Sequence, residues 1–202
     1  MQYVIFGDLH SHKKHTKRVL SHIQEVAPNA SLFALGDLYE CKIGKRKAMT
    51  ARNIPLEQAV KTKEKFEELL TFPSVIGNQE ERIALVTGDE RFLQYEEKLY
   101  IDNALLIHGH QFEWNEQFEP TFPDFHTPLV FFGHSHRAAI YVNGVRTAIS
   151  YSEPLFVGDR PYVINVGSVV DTLDWCLYDS DAMTVMFMRA ESEATNQIFK
   201  DS

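Results

Sequence analysis

Six short apolar runs in this chain stop at or next to a glycine, or directly before an asparagine, and a side chain that can bind a metal ion follows at once. The runs end at Phe6, Leu35, Ile76, Ile107, Phe132 and Ile164. Continuous apolar runs of this length predict strands that are buried on both faces of a sheet. In α/β proteins, ligands gather at the carboxyl ends of such strands, where glycine lets the backbone turn sharply. We therefore expect a polar cluster of Asp, Asn and His at one edge of the sheet, a composition that suits divalent cations.

Between the early strands the apolar period changes to that of helices. An apolar stripe predicts a helix from about His15 to Ala27 that ends before Pro28. A second stripe begins at Pro55, runs to Leu70 and predicts another helical crossover. Residues 89–99 are a weaker helix candidate. The first half of the chain is therefore expected to contain parallel βαβ units.

The second half of the chain is typical of antiparallel hairpins. An Asn143-Gly144 turn joins the apolar segments 139–142 and 145–150. Segments 173–178 and 183–189 indicate another hairpin. Parallel crossovers followed by antiparallel pairs favour a mixed or two-sheet α/β architecture over a simple doubly wound sheet.

Length and charge limit the classes of protein to consider. The 202 residues suffice for one compact domain, which we predict over residues 1–190, with a polar C-terminal tail at 191–202. Lys and Arg number 20 against 28 Asp and Glu, so the net charge of −8 disfavours nonspecific binding to a polyanion or an anionic membrane. Cys41 and Cys176 form no CxxC motif, and no segment has the features of a signal peptide or a membrane span. We expect a soluble, cytoplasmic protein.

Three pairs of potential metal ligands are spaced two residues apart. They are Asp8 and His10, His108 and His110, and His134 and His136. In an extended segment such residues project from the same face, so each pair can reach one point. Asp37 and Asn78 add oxygen atoms from two further strand ends. This set is too large for one tetrahedral ion and fits two ions that share a carboxylate.

Five segments, taken in order, resemble the signature blocks of the calcineurin-like metallophosphoesterase superfamily. They are Gly7-Asp8-Leu9-His10, Gly36-Asp37, Gly77-Asn78, His108-Gly109 and Gly133-His134-Ser135-His136. Asn165-Val166-Gly167-Ser168 is similar to an Asn-Pro-Gly-Ser segment of the small bacterial and archaeal phosphodiesterase branch of this superfamily. The resemblance implies an α/β fold of two mixed β-sheets that are packed face to face and flanked by helices, in agreement with the architecture expected from periodicity.

The resemblance also implies a metal centre. One ion would be held by Asp8, His10 and His136, another by Asn78, His108 and His134, and Asp37 would bridge them. Two cations roughly 3.5–4 Å apart would acidify a bridging water and clamp the phosphate oxygens, and the resulting hydroxide would attack phosphorus in line. No catalytic residue beyond this metal-bound hydroxide is predicted. Asn78 and His110 are the expected substrate contacts, although His110 could equally well only support the metal ligands.

The function implied is that of a phosphoesterase that uses two divalent ions. A phosphodiesterase acting on a small phosphoester is favoured, with Mn²⁺ as the favoured metal and Fe, Zn²⁺ or Ni²⁺ as alternatives. A phosphomonoesterase, a nucleotide pyrophosphatase or a non-catalytic protein-binding scaffold on the same fold stays open. All seven predicted ligand positions are chemically competent, which favours the enzyme. Long nucleic acids are disfavoured as partners, and a homo-oligomer stays open.

Two positions depart from the family pattern. Gln79 stands where many members carry a His that is thought to protonate the leaving group, and glutamine cannot act as that acid. The small phosphodiesterase branch commonly lacks this His as well, and we expect leaving groups of low basicity to be favoured. The block Gly36-Asp37-Leu38-Tyr39-Glu40 lacks the second Asp and the Arg of many relatives, which leaves any substrate contact made there open.

Other polar and aromatic groups near these blocks have simpler interpretations. The basic run at Lys42, Lys45, Arg46 and Lys47 could screen a second phosphate of an extended substrate, but a solvated loop is favoured. Aromatic residues between Phe112 and Phe125 alternate with acidic ones, which favours local packing or a subunit contact over stacking on a nucleobase. Solvated or capping roles are expected for His12, His15, His22 and His126.

Overall fold

The computed structural model describes residues 1–61 and 64–191, and its strands form two large sheets and one small hairpin. In chain order the strands are β1 (Gln2–Phe6), β2 (Ser31–Ala34), β3 (Lys98–Ile101), β4 (Ala104–Ile107), β5 (Glu113–Trp114), β6 (Pro120–Thr121), β7 (Leu129–Phe132), β8 (Ala139–Val142), β9 (Val145–Thr147), β10 (Pro154–Phe156), β11 (Tyr162–Asn165), β12 (Asp174–Asp179) and β13 (Thr184–Arg189). The helices are α1 (Lys13–Val26), α2 (Lys45–Ala48), α3 (Leu56–Ala59), α4 (Glu64–Glu67), α5 (Asn78–Thr87) and α6 (Val169–Thr172), together with a 3₁₀ helix at Glu90–Leu93.

Both large sheets are mixed, which confirms the predicted fold class. The first has the strand order β10-β13-β12-β1-β2, in which β1 is parallel to β2 and antiparallel to β12. The second has the order β3-β4-β7-β11-β8-β9, with β7 parallel to both β4 and β11 and the remaining pairs antiparallel. Parallel strands therefore lie at the centre of the second sheet, where successive strand ends meet at one edge.

The two sheets pack face to face through one hydrophobic core. Alternate side chains of β1 point to opposite faces, so Tyr3 and Ile5 enter the core between the sheets, where they join Phe131 and Ile164 of the second sheet. Val4 lies on the other face of β1, in a separate core that contains α1. The continuous apolar runs of the sequence thus correspond to strands covered on both faces.

The helix α1 confirms the first predicted crossover. It begins after His12, whose side chain accepts a hydrogen bond from the His15 amide, and it ends before Pro28, which disfavours helical geometry in the residue before it. Val19 and Ile23 are buried against the first sheet. The predicted capping role is therefore confirmed for His12.

The predicted continuous helix after Pro55 is wrong. The structure has two single turns there, α3 and α4, and residues 62–63 between them lie outside the described residues. The backbone of this segment pairs with the loop after β2 instead: the Lys42 amide donates to the Ala59 carbonyl (2.7 Å) and the Lys61 amide to the Glu40 carbonyl (3.0 Å). Hydrogen bonds used in this pairing are lost to a helix, so tertiary context overrides the apolar stripe.

Three further differences follow from local hydrogen bonding. In place of the predicted strand at Val75 and Ile76, Ser74 forms an isolated bridge with Ala34 of β2, and Val75 forms another with Glu96. The helix α5 directly after them was not predicted, although its sequence carries signals for it, namely Glu80 in the first turn and Gly88 at the left-handed C-terminal position (φ 76°). The weak helix candidate at 89–99 is only the short 3₁₀ helix.

Both predicted hairpins of the second half are present. β8 and β9 pair across Asn143 and Gly144, which have the positive φ angles of a type I′ turn (51° and 76°), and β12 pairs with β13. The single domain at residues 1–190 stays a prediction, and residues 192–202 of the predicted tail at 191–202 lie outside the described residues. Among the described residues, no helix combines the length and apolar character required to cross a membrane.

Candidate metal centre

The predicted ligands gather at one edge, where the carboxyl ends of the parallel strands of both sheets meet. Asp8 and His10 follow β1, Asp37 follows β2, His108 follows β4, His134 and His136 follow β7, and Asn78 opens α5. The loops are tied together by backbone hydrogen bonds, for example from the Gly133 amide to the His108 carbonyl (2.9 Å) and from the His10 amide to the Asp37 carbonyl (3.0 Å). Residues far apart in the sequence are therefore held in a fixed relation by the sheets.

The first ligand group consists of Asp8, His10 and His136, whose donor atoms all lie within 4.8 Å of one another. The His136 Nε2 atom is 3.3 Å from Asp8 Oδ1 and 3.1 Å from His10 Nε2. Asp8 is fully buried, whereas His10 and His136 retain partial exposure. This group therefore opens toward solvent through its two imidazoles.

The second ligand group consists of Asp37, His108 and His134, whose donor atoms also lie within 4.8 Å of one another. His108 Nε2 lies 3.4 Å from Asp37 Oδ2, 3.3 Å from His134 Nδ1 and 3.3 Å from the Asn78 side-chain oxygen. His108 is fully buried. Asn78 thus lies beside the second group, and its role as a metal ligand stays a prediction.

Asp37 lies between the two groups. Its Oδ2 atom is 3.4 Å from His108 Nε2 and 3.7 Å from His10 Nε2, while its Oδ1 atom accepts a hydrogen bond from the Gln79 amide (2.8 Å). The amide fixes one carboxylate oxygen and leaves the other directed at both groups. This geometry is the one that a shared carboxylate requires.

The ligands sit on strained backbone. Five of the seven have positive φ angles: Asp8 (54°), His10 (47°), Asp37 (49°), His134 (66°) and His136 (60°). Such angles are unfavourable for residues that carry a Cβ and occur where the surrounding structure determines the conformation, notably at functional sites. The tight turns also depend on neighbouring glycines. A Cβ at Gly77 would lie 2.2 Å from the Asp37 amide nitrogen, and one at Gly133 would lie 2.5 Å from Asp8 Oδ2.

Three histidines are oriented by acceptors that the sequence did not reveal. His10 Nδ1 lies 2.5 Å from Glu40 Oε2, and His136 Nδ1 lies 2.5 Å from Asp171 Oδ2. His108 Nδ1 lies 2.5 Å from the Leu35 carbonyl oxygen. Each acceptor favours the tautomer whose Nε2 is free of hydrogen and faces the centre. Glu40, which departs from the family pattern, therefore has a structural explanation.

A buried glutamate holds the loop that carries Asp37. Glu80 accepts hydrogen bonds from three backbone amides, those of Asp37 (2.9 Å), Tyr39 (3.0 Å) and Gly77 (2.9 Å). Burial and the nearby Asp37 carboxylate raise the pKa of Glu80 to about 7, and the three amide donors act in the opposite direction. Glu80 links the loop after β2 to the start of α5, and this link places Asp37 beside Asn78.

The electrostatics of the second group favour a positive charge. Burial alone would lower the pKa of His108, but the Asp37 carboxylate reverses this effect and raises that pKa to about 10. Burial would likewise raise the pKa of Asp37, yet His108 and His10 hold it well below its usual range. Burial and the neighbouring His108 lower the pKa of His134 to about 4. A proton or a cation between Asp37 and His108 is therefore strongly favoured.

The first group, which lies nearer to solvent, also favours a positive charge. Burial opposes protonation of His136, but the carboxylates of Asp8 and Asp171 outweigh it and raise the pKa of His136 to about 9. Burial also works against the protonated form of His10, and the carboxylates of Glu40, Asp37 and Asp8 raise its pKa nonetheless.

The side chains fit a divalent cation in each group. Imidazole nitrogens that face each other at 3.1 Å (His10 and His136) and 3.3 Å (His108 and His134) repel unless a proton or a cation lies between them. Asp8 Oδ1 is buried and, within the described part of the chain, accepts no hydrogen bond. Carboxylate, amide and imidazole donors suit first-row divalent ions.

The orientation of Asn78 agrees with this fit. Its side-chain oxygen points at His108 and His134, although the amide turned over would donate hydrogen bonds to them at 3.3 and 2.8 Å. An oxygen that faces two ring nitrogens is favourable when those nitrogens carry hydrogens or when a cation collects the three lone pairs. This orientation is therefore compatible with Asn78 as a metal ligand.

Two residues beside the centre behave differently from each other. Gln79, at the position of the expected leaving-group acid, is buried, and its side-chain oxygen accepts from the Cys41 amide (3.1 Å). His110 lies beside His108 and His134, with ring centroids 5.2 and 6.3 Å away, and its Nε2 atom is 3.2 Å from Glu81 Oε2. Gln79 thus has a structural role, whereas His110 is close enough to the centre to contact a ligand.

The aromatic segment after His108 packs locally, as favoured from the sequence. Phe112, Phe122 and Phe125 cover the outer face of the second sheet. Trp114 and Phe118 stack on each other (4.8 Å) and lie 5.3 and 5.7 Å from the His134 ring. These contacts restrict the orientation of His134.

Known proteins share this fold. The sequence profile of the calcineurin-like phosphoesterase superfamily domain matches residues 1–192. No curated protein sequence is significantly similar to the chain. The crystal structure of a metallophosphoesterase from Sphaerobacter thermophilus is similar with a TM-score of 0.66 at 20% identity, covering 97% of this chain and 90% of that one. A candidate diadenosine tetraphosphatase is similar with a TM-score of 0.50 at 14% identity, covering 95% and 94%. At these identities the structural likeness establishes the shared fold.

Proposed function

Because the chain belongs to the calcineurin-like phosphoesterase superfamily, we propose that it is a metal-dependent hydrolase of a small phosphodiester, with Asp8, His10, Asp37, Asn78, His108, His134 and His136 as the ligands of two divalent ions. Mn²⁺ is the favoured ion, and Fe, Zn²⁺ and Ni²⁺ are compatible with the same donors. The two buried free cysteines agree with a cytoplasmic location.

The observation that carries the proposal is the position of Asp37 between two ligand groups. One carboxylate oxygen is held by the Gln79 amide, and the other lies within 3.7 Å of an imidazole nitrogen from each group. A pair of cations bound there would neutralise charge on the phosphate oxygens and lower the pKa of a coordinated water. A protein scaffold would have no need for unpaired donors that face one another on strained backbone.

The residues of the chain have separate tasks in this reaction. The carboxylates of Glu40 and Asp171 and the Leu35 carbonyl keep three imidazoles in the tautomer that leaves Nε2 free. The Asn78 side-chain oxygen faces the second group, so the amide hydrogens of Asn78 are available to contact a phosphate oxygen. His110 is the second substrate contact, and the pairing of its Nε2 atom with the Glu81 carboxylate (3.2 Å) keeps the ring beside the centre.

The substitution at position 79 bears on substrate choice. Since the Gln79 side chain is buried and bonded to the Cys41 amide, it cannot protonate a leaving group. We therefore expect hydrolysis to favour leaving groups of low basicity. Phosphodiesters are the first candidates, and a phosphomonoester or a nucleotide pyrophosphate is the second.

The test compares two chromogenic esters. Protein of known metal content, supplied with Mn²⁺, is expected to hydrolyse bis-p-nitrophenyl phosphate faster than p-nitrophenyl phosphate, and Asp37→Asn should abolish both reactions. A series of aryl methyl phosphates should show a rate that falls steeply as the pKa of the leaving group rises. Absence of turnover of every phosphoester by metal-replete protein would favour the scaffold, and a reversed ester preference would favour a phosphomonoesterase.

A further inference from the structure

A groove beside the metal centre is not used by any step described above. It lies between α2 and α5 and has a volume of about 280 Å³. Its lining residues are Lys45, Ala48, Met49, Asn78, Glu81, Arg82 and Leu85. Asn78 is shared with the second ligand group, so the groove opens directly from the metal centre.

The inner end of the groove presents two hydrogen-bond donors to the same space. The Arg82 guanidinium lies 3.2 Å from the Asn78 side-chain amide nitrogen when the Asn78 oxygen faces His108 and His134. Two N–H donors that converge in this way need an acceptor, and an anionic oxygen satisfies both. Arg82 forms no ion pair with any residue in the described part of the chain.

The walls of the groove combine positive charge with exposed apolar surface. Lys45 lies on α2 and has no ion-pair partner within residues 1–61 and 64–191. Met49 and Leu85 are 75% and 47% exposed. The carboxylate of Glu81 is paired with His110 at one end of the groove. Lys45 and Arg82 thus bring two positive charges to one groove in a chain whose net charge is −8.

We propose that this groove binds the part of the substrate that lies beyond the scissile phosphate, and that this part has an apolar body and a second anionic group. The inference rests on the proposed phosphodiesterase function and specifies its substrate class. Arg82 and the Asn78 amide contact anionic oxygen next to the scissile bond, Met49 and Leu85 cover the apolar body, and Lys45 attracts the second anion. A nucleoside that carries another phosphate and a phosphorylated alkyl chain share this chemistry.

The test uses pairs of substrates that differ only in the distal charge. The first pair is thymidine 5′-(p-nitrophenyl phosphate) with and without a 3′-phosphate. The second pair is hexyl p-nitrophenyl phosphate with and without a phosphate on the sixth carbon. All four have the same scissile bond and leaving group, so the ratio of kcat/KM within a pair reports only the distal phosphate. Wild-type protein is expected to prefer the member that carries the distal phosphate roughly tenfold, the scale of a charge-assisted contact.

Matched variants assign this preference to the groove. Lys45→Ala should remove most of this preference and bring the ratio close to one. Arg82→Gln, next to the scissile bond, should lower kcat/KM about tenfold for both members of a pair and leave their ratio unchanged, with partial recovery of kcat/KM in Arg82→Lys. Lys47→Ala is the control, since Lys47 is exposed on the same helix, carries the same charge and does not line the groove. Calorimetric titration of the metal-replete protein should show the same order for thymidine 3′,5′-bisphosphate relative to thymidine 5′-monophosphate.

The outcomes separate the two proposals. If both pairs give ratios near one while the esters are hydrolysed, the groove does not bind a second anion and the proposed function stands. Equal losses in Lys45→Ala and Lys47→Ala would mean that general surface charge sets the preference, which also overturns the assignment. If no diester is hydrolysed, the proposed function fails and the subsite fails with it. A preference confined to one pair supports the groove and identifies the body as nucleoside or alkyl chain.

Discussion

The two ligand groups of the metal centre are built from the same types of side chain but are held in different ways. Histidines of the first group are oriented by the carboxylates of Glu40 and Asp171, which are 38% and 58% exposed. In the second group, His108 is oriented by a buried backbone carbonyl, and His134 is packed against Trp114 and Phe118. One group is therefore fixed by solvated charges and the other by the buried framework.

Because the two groups are held differently, substitutions near the first group should mainly change metal affinity, and substitutions near the second group should mainly change the stability of the fold. A carboxylate that accepts from a ligand imidazole increases the basicity of the ligand, and removing it from an exposed position leaves the fold intact. A buried acceptor that serves several amides cannot be changed without leaving donors unpaired. The exposed group is thus the place where metal binding can be tuned, and the buried group is tied to the stability of the fold.

The strongest test removes the carboxylate that the two groups share. Asp37→Asn keeps the size of the side chain but lacks the charge that attracts cations to both sides, so activity should fall about a thousandfold or more, at the upper range for loss of one electrostatic group in a catalytic centre. Metal analysis should show weakened binding in both groups. Asp124→Asn, in the loop after β6, is the control. Loss of metal from one group alone would show that Asp37 is not shared.

The second test targets the buried framework. Glu80→Gln should lower the free energy of unfolding by about 2–4 kcal/mol, because the new amide group would place its N–H bonds against backbone N–H groups that the carboxylate now satisfies. Urea unfolding of the metal-free protein measures the loss. Glu90→Gln, at an exposed position of the 3₁₀ helix, should change stability very little. An equally small effect of Glu80→Gln would refute the role assigned to the buried group.

The third test targets the exposed group. Glu40→Gln and Asp171→Asn keep an acceptor for the imidazole but remove its charge, so one of the two metal ions should bind roughly tenfold more weakly, at the low end of the range for such partners. Titration with Mn²⁺ followed by electron paramagnetic resonance distinguishes the two ions. Stability of the metal-free protein should change much less than in Glu80→Gln. If both ions bound equally more weakly, the first group could not be said to be oriented separately from the second.

What could be predicted from the sequence depends on whether a feature has a local signal. The ligands at strand ends could be predicted, because apolar runs and the spacing of Asp8, His10, His134 and His136 are local signals. The mixed sheets followed from the change between helical and hairpin patterns. Local signals failed where tertiary pairing takes over the backbone, as after Pro55, where Ala59 and Lys61 bond to the loop after β2.

The residues that orient the ligands lay beyond sequence reasoning. Asp171 is 35 positions from His136, and Glu40 is 30 positions from His10, so neither pair has a spacing that marks it. Glu80 carried a signal that could have been read, since an acidic residue at the third position of a helix commonly bonds back to the helix start. Its contacts with Asp37 and Tyr39 depend on how the loop folds and have no local signature.

The smallest expected effect is the pH dependence of the metal-free protein. Because the folded-state pKa of His136 is raised to about 9, above the value of about 6.5 for an unfolded histidine, the protonated imidazole stabilises the fold. This stabilisation is complete below about pH 6.5 and is lost as the pH rises toward 9. Asp171→Asn removes one of the charges that raise this pKa, so the difference in free energy of unfolding between wild type and variant should be largest at low pH and should shrink through that window.

Measuring that difference from pH 6 to pH 9.5 cancels the contributions of other titrating groups, His108 included, because they are common to both proteins. Nuclear magnetic resonance titration of the His136 ring should show a lower midpoint in Asp171→Asn than in wild type. A difference that stays constant with pH would mean that Asp171 acts through packing rather than charge. Since Asp171 is more than half exposed, such a result would place the control of the first group in its backbone turns and not in its carboxylates.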